Sequence, residues 1–248
     1  MTGLTILGTS NAIPQVDREN TYFLLENKES VILIDAGANA VARLCQMKIS
    51  VEKVTDIIIT HFHPDHVSGL PLLLMDWWLM GRKSRLTIHG LPHAIERIQQ
   101  MLDLFEWHNW PDFFEVEFHA VPDDPGVVLE NDSLKIISRK VKHLIPTFGL
   151  RMEWRQGGEV VAYSCDTEPC DAVVALAENA DYLIHEAAGD AKGHSSARQC
   201  GAVAARAGAK RLVLIHYPEV ENPQQFIDEA QLEFGGEVIL AKDCMTLE

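Results

Sequence analysis

Thr60-His61-Phe62-His63-Pro64-Asp65-His66-Val67-Ser68-Gly69 decides how this chain is read. The stretch follows the β-branched run Ile57-Ile58-Ile59 and precedes a second apolar run of helical character. Three imidazoles and a carboxylate fall within six consecutive positions. Protonated rings would repel one another there, and neutral rings would waste core volume. Binding one or two cations resolves both difficulties, because neutral imidazole and carboxylate suit zinc and similar metals.

One metal needs three or four ligands and two need more, so further His and Asp residues are expected at later strand ends. His143 closes the stretch that starts at Lys135-Ile136-Ile137, Asp166 closes Val160-Val161-Ala162-Tyr163-Ser164-Cys165, and His216 closes Leu212-Val213-Leu214-Ile215. Strand C-termini of an α/β sheet converge on one rim, so these positions support one another. His61, His63, Asp65, His66, His143, Asp166 and His216 are therefore the candidate metal ligands. His89, His93, His108 and His119 lack such company and are read as non-metal.

The rest of the chain is consistent with a folded metal-binding protein. Its 248 residues, 47% apolar and 23% charged, have ordinary globular composition and can bury a substantial core. A single domain over 1–248 is expected. Lys and Arg number 21 against 36 Asp and Glu, a net charge of −15. That excess disfavours nucleic-acid binding through the surface at large, while leaving room for a pocket that takes one phosphate. No apolar run approaches the ~20 residues a bilayer requires, so no membrane partner is expected. Met1-Thr2-Gly3-Leu4-Thr5-Ile6-Leu7-Gly8 lacks the basic start and long apolar run of a signal peptide. Cys45, Cys165, Cys170, Cys200 and Cys244 are an odd, scattered set without a C-x-x-C pair, as suits free thiols in a reducing compartment. A cytoplasmic protein is the expectation.

Short β-branched runs alternate with helical stretches. They predict strands over 4–8, 21–25, 31–34, 57–60, 86–89, 114–120, 134–143, 148–154, 160–164, 182–185, 212–216 and 238–240. Helices are predicted over 38–47, 69–80, 93–105, 168–177, 196–207 and 223–234. Ser195 or Ser196 caps one of them, Asn222 precedes a Pro at the start of another, and Asp123-Asp124-Pro125-Gly126 reads as a turn. Trp77-Trp78 are expected in core or pocket wall, and Trp107-His108-Asn109-Trp110 in a loop. Arg82, Lys83 and Arg85 read as a solvated helix end.

In H-x-H-x-D-H the chain resembles the metallo-β-lactamase superfamily, and over nearly its whole length the ribonuclease Z branch. The residues that carry this are Gly8-Thr9-Ser10, Pro14, Arg18 and Asn20, then Ile34-Asp35-Ala36-Gly37 and Gly149-Leu150-Arg151. Asp166-Thr167, His185-Glu186-Ala187, His194-Ser195-Ser196, His216 and the ending Ala241-Lys242-Asp243 extend it. The resemblance implies an α/β fold, a four-layer αββα sandwich, with two divalent metal ions between the sheets. Zinc is the expected metal, with manganese or iron as alternatives. By the same resemblance His61, His63 and His143 hold one ion, Asp65, His66 and His216 the other, and Asp166 bridges them. Asp35 orients an imidazole. Asp65 doubles as proton acceptor, and His194, oriented by Glu186, protonates the leaving group.

The implied function is hydrolysis of a small phosphodiester or similar ester by a hydroxide on the binuclear metal centre. The alternatives are tRNA 3′-end processing, or a lactone, thioester or aryl sulfate as substrate. An Asp rather than a Cys at 166 demotes β-lactamase activity. Only 23 positions separate His143 from Asp166, room for a hairpin about Gln156-Gly157-Gly158 but not for the branch's tRNA-gripping arm. Tyr217-Pro218-Glu219-Val220-Glu221 is acidic where the branch carries a basic residue. RNA is therefore disfavoured as a partner, and a homodimer is left open.

Overall fold

Among the described residues, 3–121 and 124–247, the computed structural model has fourteen strands and seven α-helices. The strands are β1 Gly3–Gly8, β2 Tyr22–Glu26, β3 Val31–Ile34, β4 Val54–Ile59, β5 Leu86–Gly90, β6 Val116–Ala120 and β7 Gly126–Glu130. After them come β8 Leu134–Val141, β9 Thr147–Trp154, β10 Val160–Tyr163, β11 Tyr182–Glu186, β12 Arg211–Ile215, β13 Glu237–Leu240 and β14 Met245–Leu247. The helices are α1 Ala40–Gln46, α2 Pro64–Val67, α3 Leu70–Leu79, α4 Pro92–Asp103, α5 Asp171–Leu176, α6 Ala197–Ala207 and α7 Pro223–Gln231.

These elements form two compact units. The first comprises Met1–Gly8, Asn20–Pro122 and Cys244–Glu248; the second comprises Thr9–Glu19 and Asp123–Asp243. The first unit's sheet runs β14-β1-β2-β3-β4-β5-β6, antiparallel at β14, β1, β2 and β3 and parallel from β3 to β6. Its core packs Leu24, Leu33, Ile57, Ile59 and Ile88 with Leu70, Leu73, Leu74 and Trp77 of α3 and Ile95, Ile98 and Leu102 of α4. In α4 the buried positions 94, 95, 98 and 102 recur at helical spacing, which turns one stripe of the helix inward.

The second unit's sheet runs β13-β12-β11-β10-β9-β8-β7, parallel from β10 to β13 and antiparallel from β7 to β10. Its core packs Ala162, Leu183, Leu212 and Leu214 with Val173, Leu176, Val203, Ala204 and Ala230 from α5, α6 and α7. Ser196, rather than Ser195, caps α6, in a capping box with Gln199. Asn222 caps α7 by accepting from the N–H groups of Gln224 and Gln225.

Most predicted elements recur within a residue or two, and the differences have physical causes. β7 and β14 were not anticipated: β7 follows directly on a turn-rich stretch, and β14 is three residues long, too short to show a period. The turn read at 123–126 begins outside the described residues. α2 is a four-residue helix inside the histidine motif, started by Pro64 at its first position. The loop expected around Trp107 contains a 3-10 turn at Trp107–Asn109, and Trp107 packs edge-on against Phe113 and Phe118.

Arg82 is the clearest correction. It is not solvated: the side chain is buried, with 1% exposure. Its guanidinium donates to the carbonyls of Val51, Val54 and Arg85 and lies between the rings of Trp77 and Phe114. Five fixed donors suit a site that must satisfy several buried carbonyls at once. Burial lowers its pKa to about 10.

Candidate metal centre

In the first unit the donors are placed by one loop. β4 ends at Ile59; Thr60 and His61 follow it, both buried, and His63 stands at the N-cap of α2 with Asp65 and His66 in its single turn. His61 Nε2 and His63 Nδ1 lie 3.1 Å apart. His66 Nε2 lies 3.5 Å from Asp65 Oδ2. Such close approach of imidazole nitrogens and carboxylate oxygens is what a shared cation rewards.

Asp35, at the end of the neighbouring strand β3, organises this loop. Its backbone takes the left-handed conformation, φ 66°, a position that Asp tolerates better than most residues. Its carboxylate accepts from the N–H of Thr60 at 2.8 Å, from Thr60 Oγ1 at 2.9 Å and from His66 Nδ1 at 2.8 Å. The proton of His66 is thereby fixed on Nδ1, and the lone pair needed for a metal is left on Nε2. Burial raises the Asp35 pKa, against the lowering effect of His66 and Thr60. The N–H of Ala36 donates to the carbonyl of His66 at 2.8 Å. Gly37 lies so near that a Cβ there would sit 1.6 Å from the carbonyl oxygen of Asp65.

In the second unit the donors come from separate strand ends. His143 lies two residues past β8, Asp166 three past β10, and His216 directly after β12. Asp166 Oδ2 lies 3.3 Å from His216 Nε2 and 3.9 Å from His143 Nε2, so one carboxylate oxygen serves two rings. His143 Nδ1 donates to the carbonyl of Gly193 at 2.6 Å, which again leaves Nε2 as the ligand atom. His216 takes φ 53°, a strained backbone of the sort that functional sites retain.

Glu186, buried at the end of β11, completes this half. Its Oε1 accepts from His194 Nδ1, the N–H of Thr167 and the N–H of Ser195, each at 3.1 Å, and its Oε2 from the N–H of Ala188 at 2.8 Å. Burial raises its pKa to about 7, against the hydrogen bond from His194. The His194 ring lies 5.1 Å from that of His143 and 6.1 Å, stacked, from that of His216.

The N-terminal motif and the chain's tail meet in this unit too. Asp243 accepts from Thr9 Oγ1 at 2.7 Å and from the N–H of Glu19 at 2.9 Å. Arg18 lies over the ring of Tyr217 and donates to the carbonyl of Pro218 at 3.1 Å. The segment that follows His216 is thus held by residues some two hundred positions earlier.

The seven predicted ligands offer only nitrogen and oxygen, and in each unit the orienting partners leave Nε2 of a histidine as the coordinating atom, so the residues present fit divalent metals. Within the first unit the possible ligand atoms of His61 and His63, and of Asp65 and His66, lie within 4.8 Å of each other; in the second so do those of Asp166 with His143 and with His216. Among the described residues His89, His93, His108 and His119 enter no group of three or more such donors, and His89 is bonded to Asp56 at 2.7 Å. Sequence reasoning missed two residues that hold the second half: Glu168, and Gly193 with φ 88°. The Gly in Lys192-Gly193-His194 was the available signal.

A family described as anti-Pycsar protein Apyc1 matches residues 2–236. The chain is 30% identical to ribonuclease Z of Methanothermobacter thermautotrophicus, covering 100% of this chain and 97% of the relative. It is 31% identical to ribonuclease Z of Bacillus licheniformis, covering 93% and 94%. Among solved structures, the metallo-β-lactamase fold protein YhfI of Bacillus subtilis matches with TM-score 0.83 and 25% identity, over 99% of this chain and 98% of that one. The short form of human tRNase Z matches with TM-score 0.78 and 26% identity, over 99% and 98%. Fold and sequence together define a metal-dependent hydrolase with the α/β sandwich of the metallo-β-lactamase superfamily, in its ribonuclease Z-like branch. The chain belongs to the anti-Pycsar protein Apyc1 family.

Proposed function

We propose that this chain is a phosphodiesterase acting on a small phosphodiester in the cytoplasm, as a single hydrolase domain. His61, His63 and His143 would hold one divalent ion, Asp65, His66 and His216 a second, with Asp166 shared. Two such ions neutralise charge developing on phosphoryl oxygens and make water acidic enough to ionise near neutral pH. Asp65 would serve as the proton acceptor for the attacking water. Glu186 holds His194 through Nδ1, so that the imidazolium donates from Nε2 to the departing oxygen. From the family we also take an anti-Pycsar role.

The observation that carries this reading is the Glu186–His194 pair, standing in one unit with His143, Asp166 and His216. An acid at this place is of most use to a substrate whose leaving group is a poor one, such as an alkoxide. Small size is favoured by what the chain lacks relative to its relatives. The alignment with the Methanothermobacter enzyme runs to 304 positions for a chain of 248, leaving at least 56 positions filled by the relative alone. Between His143 and Asp166 the chain carries only the β9–β10 hairpin, turning through Gln156-Gly157-Gly158.

Turnover of bis-p-nitrophenyl phosphate, compared with lactone and thioester substrates, tests the reaction class. Cleavage of the phosphodiester is expected, and activity confined to the carbon-centred substrates overturns the proposal. The ribonuclease Z and tRNase Z names of the relatives favour an RNA substrate, and with it tRNA 3′-end processing, as a second reading. A precursor tRNA resolved on a gel decides it; little or no cleavage is expected.

A further inference from the structure

Glu168 belongs to none of the sequence motifs, yet it grips both sides of one hydrogen bond in the second unit. That bond runs from His143 Nδ1 to the carbonyl of Gly193 at 2.6 Å. On one side, Glu168 Oε1 accepts from the N–H of Gly193 at 3.1 Å. On the other, its Oε2 pairs with Nζ of Lys142, the residue before His143. Its own backbone N–H donates to the carbonyl of Lys142 at 2.8 Å, in an isolated β-bridge. Gly193 has little freedom of its own: with φ 88°, a Cβ there would meet Leu144 Cγ at 2.9 Å and His143 Nδ1 at 3.1 Å. The segment from Gly189 to Ser195 has no helix or strand. Besides Glu168 and His143 at Gly193, it is held at its end, where Glu186 accepts from the N–H of Ser195 and Ser195 Oγ donates to the carbonyl of Thr167 at 2.7 Å, and by the bond from Gly189 N–H to the carbonyl of Ser195.

We infer that Glu168 is a positioning residue: it holds the Gly193 carbonyl against His143 Nδ1, and so fixes the tautomer and aim of His143 and the placement of His194 one residue on. This rests on the proposed role of His143 as a metal ligand. A carbonyl or carboxylate behind a coordinating imidazole governs affinity by about 10- to 100-fold. Glu168 acts one step further out, on the group that does this orienting, so the lower end of that range is expected.

The test uses zinc-loaded protein and the chromophoric chelator 4-(2-pyridylazo)resorcinol. Wild-type protein should release two zinc ions per chain slowly. In Glu168→Ala one of the two should leave about tenfold faster, with the other unchanged. Glu168→Gln keeps an oxygen acceptor for the Gly193 N–H and loses the ion pair, so it should recover most of the slow release. A role confined to stability would move the melting temperature in both variants and leave the ratio of the two release rates alone. Turnover adds a second readout: Glu168→Ala should slow alkyl phosphodiesters more than p-nitrophenyl ones, through His194. Unchanged release kinetics in Glu168→Ala overturn the inference while leaving the proposed function intact. Failure of wild-type protein to hold two zinc ions would instead strike the proposed function itself.

Discussion

The two units place their chemistry in opposite ways. The first takes four donors from six consecutive residues on one loop, braced by a single carboxylate and by backbone packed directly against backbone. The second takes His143, Asp166, Glu186, His194 and His216 from five separate segments, joined by hydrogen-bond relays. A loop wedged by sterics should fail all at once when its wedge is disturbed. A set of relayed strand ends should loosen by degrees.

The largest effect is expected from Gly37→Ala. The new methyl group would meet the Asp65 carbonyl oxygen at 1.6 Å, and the atom in its way is backbone, which no change of rotamer can move. Overpacking commonly costs 1–3 kcal/mol, and here about 3 kcal/mol or more is expected, with both metals lost. Urea unfolding and elemental analysis check this. Wild-type stability together with a full metal complement would show that the loop is not wedged at this point.

His194→Ala is next and belongs to the second unit. General-acid catalysis is worth about 10²–10⁴-fold where the leaving group needs a proton. Turnover of an alkyl phosphodiester should fall about 100-fold. Bis-p-nitrophenyl phosphate, whose leaving group departs as a stable anion, should lose less than tenfold. Equal losses on the two substrates would refute the acid role. In the first unit, Asp35→Asn should weaken zinc about tenfold in competition with a chelator, because the amide still accepts from Thr60 but is a poorer partner for His66 Nδ1. No change would mean that His66 keeps its tautomer without the carboxylate.

The same contrast explains what the sequence could disclose. Three His and an Asp in six positions are visible at once, because one loop must hold them. His143, Asp166 and His216 were visible as residues that end apolar runs, which is a weaker sign. Glu186 and His194 were found only through the family pattern, since nothing local marks a Glu at a strand end as the partner of a His eight positions later. Glu168 and Gly193 escaped altogether: their role lies in which carbonyl faces which ring, and backbone direction leaves little trace in residue type. Arg82 was misread for a related reason. A charged residue at a helix end is ordinarily solvated, and only the fold reveals three carbonyls waiting to be satisfied.

The last effect concerns pH and bears on the second unit alone. His185 is fully buried in β11, one residue before Glu186. Its Nδ1 donates to the carbonyl of Glu186 at 2.8 Å, whereas its Nε2 is buried with no hydrogen-bond partner. Protonation would place a charged N–H at that second nitrogen, and burial accordingly lowers the pKa to about 4. In the unfolded chain the same group titrates near 6.5. Between those values the unfolded state binds the proton and the folded state does not, so stability falls as pH drops from about 6.5 toward 4 and is indifferent to this group well above 6.5. Between pH 7 and pH 5 the loss should be about 2 kcal/mol. His185→Asn keeps a donor near the Nδ1 position and cannot titrate, so the difference in pH dependence between the two proteins isolates this group from the metal ligands. Urea unfolding at both pH values measures it. If the two proteins lose stability in parallel, acid acts elsewhere, and the relays around Glu186 are no more vulnerable than the wedged loop of the first unit.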